Sequence, residues 1–162
     1  MNQISSQHSF RQHVFGDESR RQFDACYPEQ AAVLEHDMMS HELLTLDALA
    51  ELGTALPEES VEYNPGDLPV GIKPEDVPDN GMSIGDTIRM IDSAASWAVL
   101  KNIEQMPEYE KLLHSLLSEI RPILEAKTGQ MLKPQGFIFV SSPNAVTPYH
   151  FDPEHNILLQ LR

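Results

Sequence analysis

The apolar residues of this chain change period at Gly136, and that change orders the architecture. Upstream, Tyr109, Leu112, Leu113, Leu116, Leu117, Ile120, Ile123 and Leu124 recur at three- and four-residue spacing. That spacing predicts a helix over 107–128. Glu108 and Glu110 suit its first turn, Gly129 suits its end, and Pro122 should kink it near Ser118. Downstream, Phe137, Ile138, Phe139 and Val140 read as a strand apolar on both faces, as in a sheet buried on two sides. A short strand at 150–152 lies between Pro148 and Pro153, and 156–162 reads as another, with Ile157, Leu159 and Leu161 sharing a face. Helices first and strands last, without β-α-β alternation, predict an α+β fold.

Earlier elements are shorter. The stretch 28–35 reads as a helix with Pro28 at its first position. A second helix follows Thr45 as N-cap, carries Leu46, Leu49 and Leu52, and should stop at Gly53. Residues 62–82 hold Pro65, Pro69, Pro74, Pro78, Gly66, Gly71 and Gly81. They predict a long irregular connection, of the kind that often contacts substrate. Ser83 should cap a short helix through Ile84, Ile88 and Ile91, and Trp97-Ala98-Val99-Leu100 has the composition of a buried strand. Residues 1–20 are polar and poorly patterned and read as a flexible arm. Residues 21–162 then form one domain, large enough for a core.

Charge narrows the partners. Eleven Lys and Arg against 25 Asp and Glu leave a net charge of −14, so no basic stripe is available for a nucleic-acid backbone. An acidic surface suits solubility or a basic protein segment. One cysteine, Cys26, precludes an internal disulfide and fits a reducing compartment. With no signal-like N-terminus and no run of 18 apolar residues, the expectation is a cytoplasmic protein without a membrane partner.

The chemistry concentrates in Tyr149-His150-Phe151-Asp152. On a strand, His150 and Asp152 point to one side, where an imidazole and a carboxylate can take adjacent positions around a single cation. They are two thirds of a 2-His-1-carboxylate iron site, which also requires a second histidine from a distant strand. The bland alternative is a structural His–Asp hydrogen bond. The remaining histidines fit the pattern poorly. His36 and His41 are five apart, His114 lies off the apolar stripe, an odd spacing turns His155 away, and His8 and His13 belong to the arm.

The string from Thr147 to Leu161, Thr-Pro-Tyr-His-Phe-Asp-Pro-Glu-His-Asn-Ile-Leu-Leu-Gln-Leu, resembles the first metal-binding strand of the Jumonji-C/cupin-like oxygenases. It especially resembles the branch containing the asparaginyl hydroxylase of the hypoxia pathway. That family carries T-P-x-H-x-D-x-x-x-N ahead of a strand ending in Gly and Lys. The resemblance is specific from Gly136 to Arg162 and softer over the helical part. It implies the opening strands of a double-stranded β-helix (jelly-roll or cupin), incomplete in this chain. It also implies His150 and Asp152 as Fe(II) ligands, with the Thr147 hydroxyl on the distal carboxylate of the cosubstrate 2-oxoglutarate. Asn156 would lie beside cosubstrate and metal. The basic anchor and the second histidine would fall beyond Arg162, which lies one position short of the family's Gly.

The implied function is an Fe(II)- and 2-oxoglutarate-dependent oxygenase of the hydroxylase type in its complete form, acting on a protein or a small molecule. These 162 residues alone are expected to be inactive. The alternative is a non-catalytic cupin-like binding or regulatory module, a homodimer joined through the edge of its half-barrel. A third reading, metal-assisted hydrolysis at a His/Asp site, predicts no succinate release.

Overall fold

A computed structural model describes residues 13–66, 76, 78–146 and 152–162. Among them are five α-helices, α1 (Asp17–Cys26), α2 (Leu46–Ala55), α3 (Ile84–Arg89), α4 (Pro107–Ser118) and α5 (Arg121–Thr128). Three strands, β1 (Val61–Pro65), β2 (Ser96–Lys101) and β3 (Phe137–Ser141), form one antiparallel sheet in the order β1-β2-β3. The fold is α+β. The chain divides into two compact units, Met1–Met38 with Leu116–Met131 and Met39–Ser115 with Leu132–Arg162.

In the first unit, α1 begins inside the stretch expected to be an arm. Its sequence has little apolar periodicity, but Asp17 and Glu18 occupy the first turn and pair with Arg20 and Arg21 at i,i+3. Phe23 is buried, and so are Phe15, Met38, Leu116 and Ile120. The Glu119 carboxylate accepts the backbone N–H groups of Val14 (2.6 Å) and Phe15 (2.9 Å), fixing the chain ahead of α1. The helix expected over 28–35 is absent. Pro28 lies in the turn after α1, joined to Tyr27 by a cis peptide, and residues 31–36 have no regular structure. Val33 is 91% exposed, so this stretch has no apolar face to bury, and propensity alone does not hold so short a helix.

The second unit holds the sheet. Register pairs Val61 with Leu100 and Pro65 with Ser96 on one side of β2, and Trp97 with Ser141 and Lys101 with Phe137 on the other. Ala98, Leu100 and Val140 join Leu49, Leu52, Leu56, Ile88 and Ile91 in one core, with Val61, Tyr63 and Ile138 packed against it. Strand β1 takes up the start of the stretch read as irregular connection, from Glu62 to Pro65. Its alternation is only four residues long, and Pro65 is tolerated because it ends an edge strand. On β3 the expected burial on both faces does not hold. Val140 is buried and Ile138 half-buried, whereas Phe137 is exposed and Phe139 is 65% exposed.

The caps behave as expected. Thr45 Oγ1 accepts from Ala48 N (3.2 Å), and Ser83 Oγ accepts from Asp86 N (3.1 Å) while donating to Asp86 Oδ2 (2.7 Å). The long helix is two helices. It breaks after Ser118, and α5 opens with Pro122 in its first turn, where the missing donor does no harm. Gly129, at φ +83, ends α5.

Gly53 does not end α2; it lies inside it, against α3 and β2. A Cβ there would fall 2.9 Å from Ile84 Cγ1 and 3.2 Å from Leu100 Cδ2. Gly53→Val should therefore destabilise the protein by about 1–3 kcal/mol, despite removing a helix glycine. The comparison of urea midpoints checks this, and an unchanged midpoint would show that α3 shifts freely.

Tyr109 closes the core from α4. Its hydroxyl donates to Leu43 O (2.9 Å) and lies near Ala48 O (3.4 Å). Burial pushes this phenol up to about 12, with Glu108 and Glu51 adding to the shift. An unfolded tyrosine ionises near pH 10, so the buried neutral phenol stabilises the fold fully below that pH. The contribution declines as pH rises towards 12. Unfolding midpoints followed across pH 9–12 should fall less steeply in Tyr109→Phe than in the parent; equal slopes would remove the argument.

Candidate metal site

Two elements lead to the motif: the end of β1 and the turn that follows β3. Ser142 anchors this turn. Its hydroxyl accepts Ser96 N (2.9 Å) and donates to Ile91 O, and its own N–H returns to Ser96 O (2.8 Å). Asn144 takes the left-handed conformation that asparagine tolerates in turns (φ +66), and Ala145 N closes the turn on Ser142 O (3.1 Å). Gly66 N donates to Ala95 O (2.7 Å), and Val146 N donates to Gly66 O at 3.5 Å. A cavity of about 320 Å³ lies here, lined by Gly66, Ala95, Ser142, Pro143, Asn144 and Ala145. Gly66 and Val146, joined by this bond, are the last described residues ahead of residues 67 and 147.

Sequence reasoning missed what fixes this end of the sheet. Asn80 Nδ2 donates to Thr87 Oγ1 (2.9 Å) and Ser96 Oγ (3.1 Å), while Asn80 Oδ1 accepts Met82 N (3.0 Å). Thr87, Ser96 and Ser142 are buried, and buried polar groups need such partners. An Asn-Gly dipeptide such as Asn80-Gly81 is a turn signal, and it carries no sign of these long-range bonds.

Of the motif residues, Asp152 and Asn156 are described; Thr147, His150 and the expected strand at 150–151 lie outside the described residues. Asp152 is exposed and not in a strand, and Asn156 Nδ2 donates to its Oδ2 at 2.7 Å. The strand expected over 156–162 is not formed. Leu158 is 81% exposed, and alternation without a neighbouring strand to supply ladder hydrogen bonds does not make one.

Two of the described histidines make local bonds. His36 Nδ1 accepts Met38 N (3.3 Å), and His41 Nδ1 accepts Leu43 N (3.2 Å). His13, His114 and His155 are exposed. Among the described residues no group of three His, Cys, Asp or Glu is placed to hold a metal. The donor types of His150 and Asp152 suit Fe(II), and the described residues supply only the carboxylate of that pair.

Comparison with protein-family models, with curated proteins and with solved structures gives no match. No helix among the described residues is long and apolar enough to cross a membrane.

Proposed function

We propose that this chain carries the first metal-binding strand of an Fe(II)- and 2-oxoglutarate-dependent oxygenase of the hydroxylase type, built on a cupin-like double-stranded β-helix. The observation that carries this reading is the string Thr147-x-x-His150-x-Asp152-x-x-x-Asn156, which follows directly on the turn after an antiparallel strand. His150 and Asp152 would hold the iron, whose chemistry is the coupling of 2-oxoglutarate decarboxylation to substrate hydroxylation. Thr147 would orient the cosubstrate by donating its hydroxyl proton to the distal carboxylate. Asp152 is exposed, and its Oδ2 accepts the side-chain amide of Asn156.

Calorimetric titration of 2-oxoglutarate into the chain held in excess Mn(II) tests the assignment. Metal-dependent binding is expected, weakened about tenfold in Thr147→Val, as for the loss of one hydrogen bond to a charged group. Metal binding without any 2-oxoglutarate binding would favour a hydrolytic site. A second reading, the non-catalytic homodimeric module, draws support from edge strand β3, where Phe137 and Phe139 are exposed. A concentration-dependent dimer lost in Phe139→Lys would favour it.

A further inference from the structure

We propose that Asn80-Gly81 is a latent modification site, where the folded turn withholds Asn80 from succinimide formation. Opening of the turn commits the residue to aspartate or isoaspartate. In an asparagine-glycine pair the next backbone nitrogen reaches the side-chain carbonyl carbon freely, because glycine has no Cβ in the way. The fold requires this pair for other reasons. Gly81 has φ +75, a conformation that favours glycine, and Asn80 supplies two donors and an acceptor from one short side chain.

Each polar atom that would react is engaged. Asn80 Nδ2, the leaving nitrogen, donates to Thr87 Oγ1 (2.9 Å) and Ser96 Oγ (3.1 Å). Asn80 Oδ1 accepts Met82 N (3.0 Å), which fixes the plane of the amide. Gly81 N, the attacking atom, donates to Asp79 Oδ1 (2.8 Å). That carboxylate opposes the anionic nitrogen that attack requires. Thr87 and Ser96 are both 0% exposed, whereas Asn80 is half-buried and Gly81 exposed. Water therefore reaches the pair as soon as the side chain swings free.

The chemistry needs only water. Gly81 N gives its proton to solvent and bonds to Asn80 Cγ. The Cγ–Nδ2 bond breaks, and Nδ2 leaves as ammonia with a proton from water. Water then opens the five-membered ring at one of its two C–N bonds. One opening gives aspartate, and the other gives isoaspartate, whose backbone runs through the β-carbon. The net change is amide plus water to carboxylate plus ammonia, with no oxidation.

Neither product can rebuild the turn. A carboxylate only accepts, so it would face two hydroxyl oxygens where the NH2 now donates. The Ser96 hydroxyl already donates to Ala94 O (2.9 Å) and would have to abandon it. Ser96 N also donates to Ser142 Oγ (2.9 Å), so the disturbance would reach the turn after β3. Isoaspartate adds a backbone atom ahead of Gly81 as well. The change is one-way and records each opening of this end of the sheet.

The test incubates the 162-residue chain at mildly alkaline pH, folded and in concentrated urea. Peptide mapping that separates asparagine, aspartate and isoaspartate reads position 80. Loss of asparagine should be at least about tenfold slower in the folded chain, because it waits on local opening. Thr87→Val removes one hydroxyl that holds the amide. It should raise the folded rate about fivefold, the equivalent of one hydrogen bond, and leave the rate in urea unchanged. Asn80→Asp, the product made directly, should lower the melting temperature by about 3 °C or more.

Equal rates in the folded and denatured chain would overturn the protective role of the turn. No modification in urea would show that the pair is not reactive. A melting temperature unchanged in Asn80→Asp would show that the turn accepts a carboxylate, and the one-way character would be lost.

Discussion

Truncation of Leu100 to alanine is expected to lower stability by about 3–4 kcal/mol, the range for a fully buried leucine whose surroundings cannot collapse. Leu100 is 0% exposed on the central strand, paired with Val61 and Ile138, and α2 approaches it closely enough for Gly53 to need its missing Cβ. Ladder hydrogen bonds on both sides of β2 hold the backbone in place, so the methyl groups leave a cavity. Urea denaturation should show a lower midpoint with an unchanged slope. Leu158→Ala, at a side chain 81% exposed, should stay within about 0.5 kcal/mol of the parent. Similar losses at the two positions would mean that the core lies elsewhere.

Asp152→Ala and His150→Ala are each expected to weaken divalent-metal binding at least about a hundredfold, or some 2.8 kcal/mol. Each removes one of the two protein ligands assigned here, and a remaining single ligand competes poorly with water. Asp152 is exposed, so the fold should be unaffected by its loss, and a drop in affinity can be read as a ligand effect. Asp152→Asn keeps the shape but removes the charge and should fall between the parent and the alanine variant. Removal of His155, which directly follows the bend at 153–154, should leave the affinity unchanged.

What the sequence revealed depended on how local the deciding interaction is. Thr45 and Ser83 were legible as caps because the bonds they accept come from three residues away. Pro122 marked the break between α4 and α5 for the same reason. Gly53 misled, since a glycine after a leucine stripe looks like a helix end. Its actual role is set by Ile84 and Leu100, far along the chain. Strand β1 was hidden among prolines because Val61 and Tyr63 are too few to establish a period, and only pairing with β2 reveals them.

The same holds at the site. His150 and Asp152 could be picked out by type and spacing. The Asn80 bonds to Thr87 and Ser96, seven and sixteen residues away, left no pattern to read. The bond from Asn156 to Asp152 showed in the sequence only as an interval of four.

The most direct measurement is the visible spectrum of the chain with Fe(II) and 2-oxoglutarate under strict exclusion of oxygen. Chelation of an iron held by His150 and Asp152 should produce a metal-to-ligand charge-transfer band. The band should saturate with cosubstrate and be absent in the His150→Ala and Asp152→Ala variants. No band at any iron concentration in the parent chain, or the same band in both variants, would contradict the assignment.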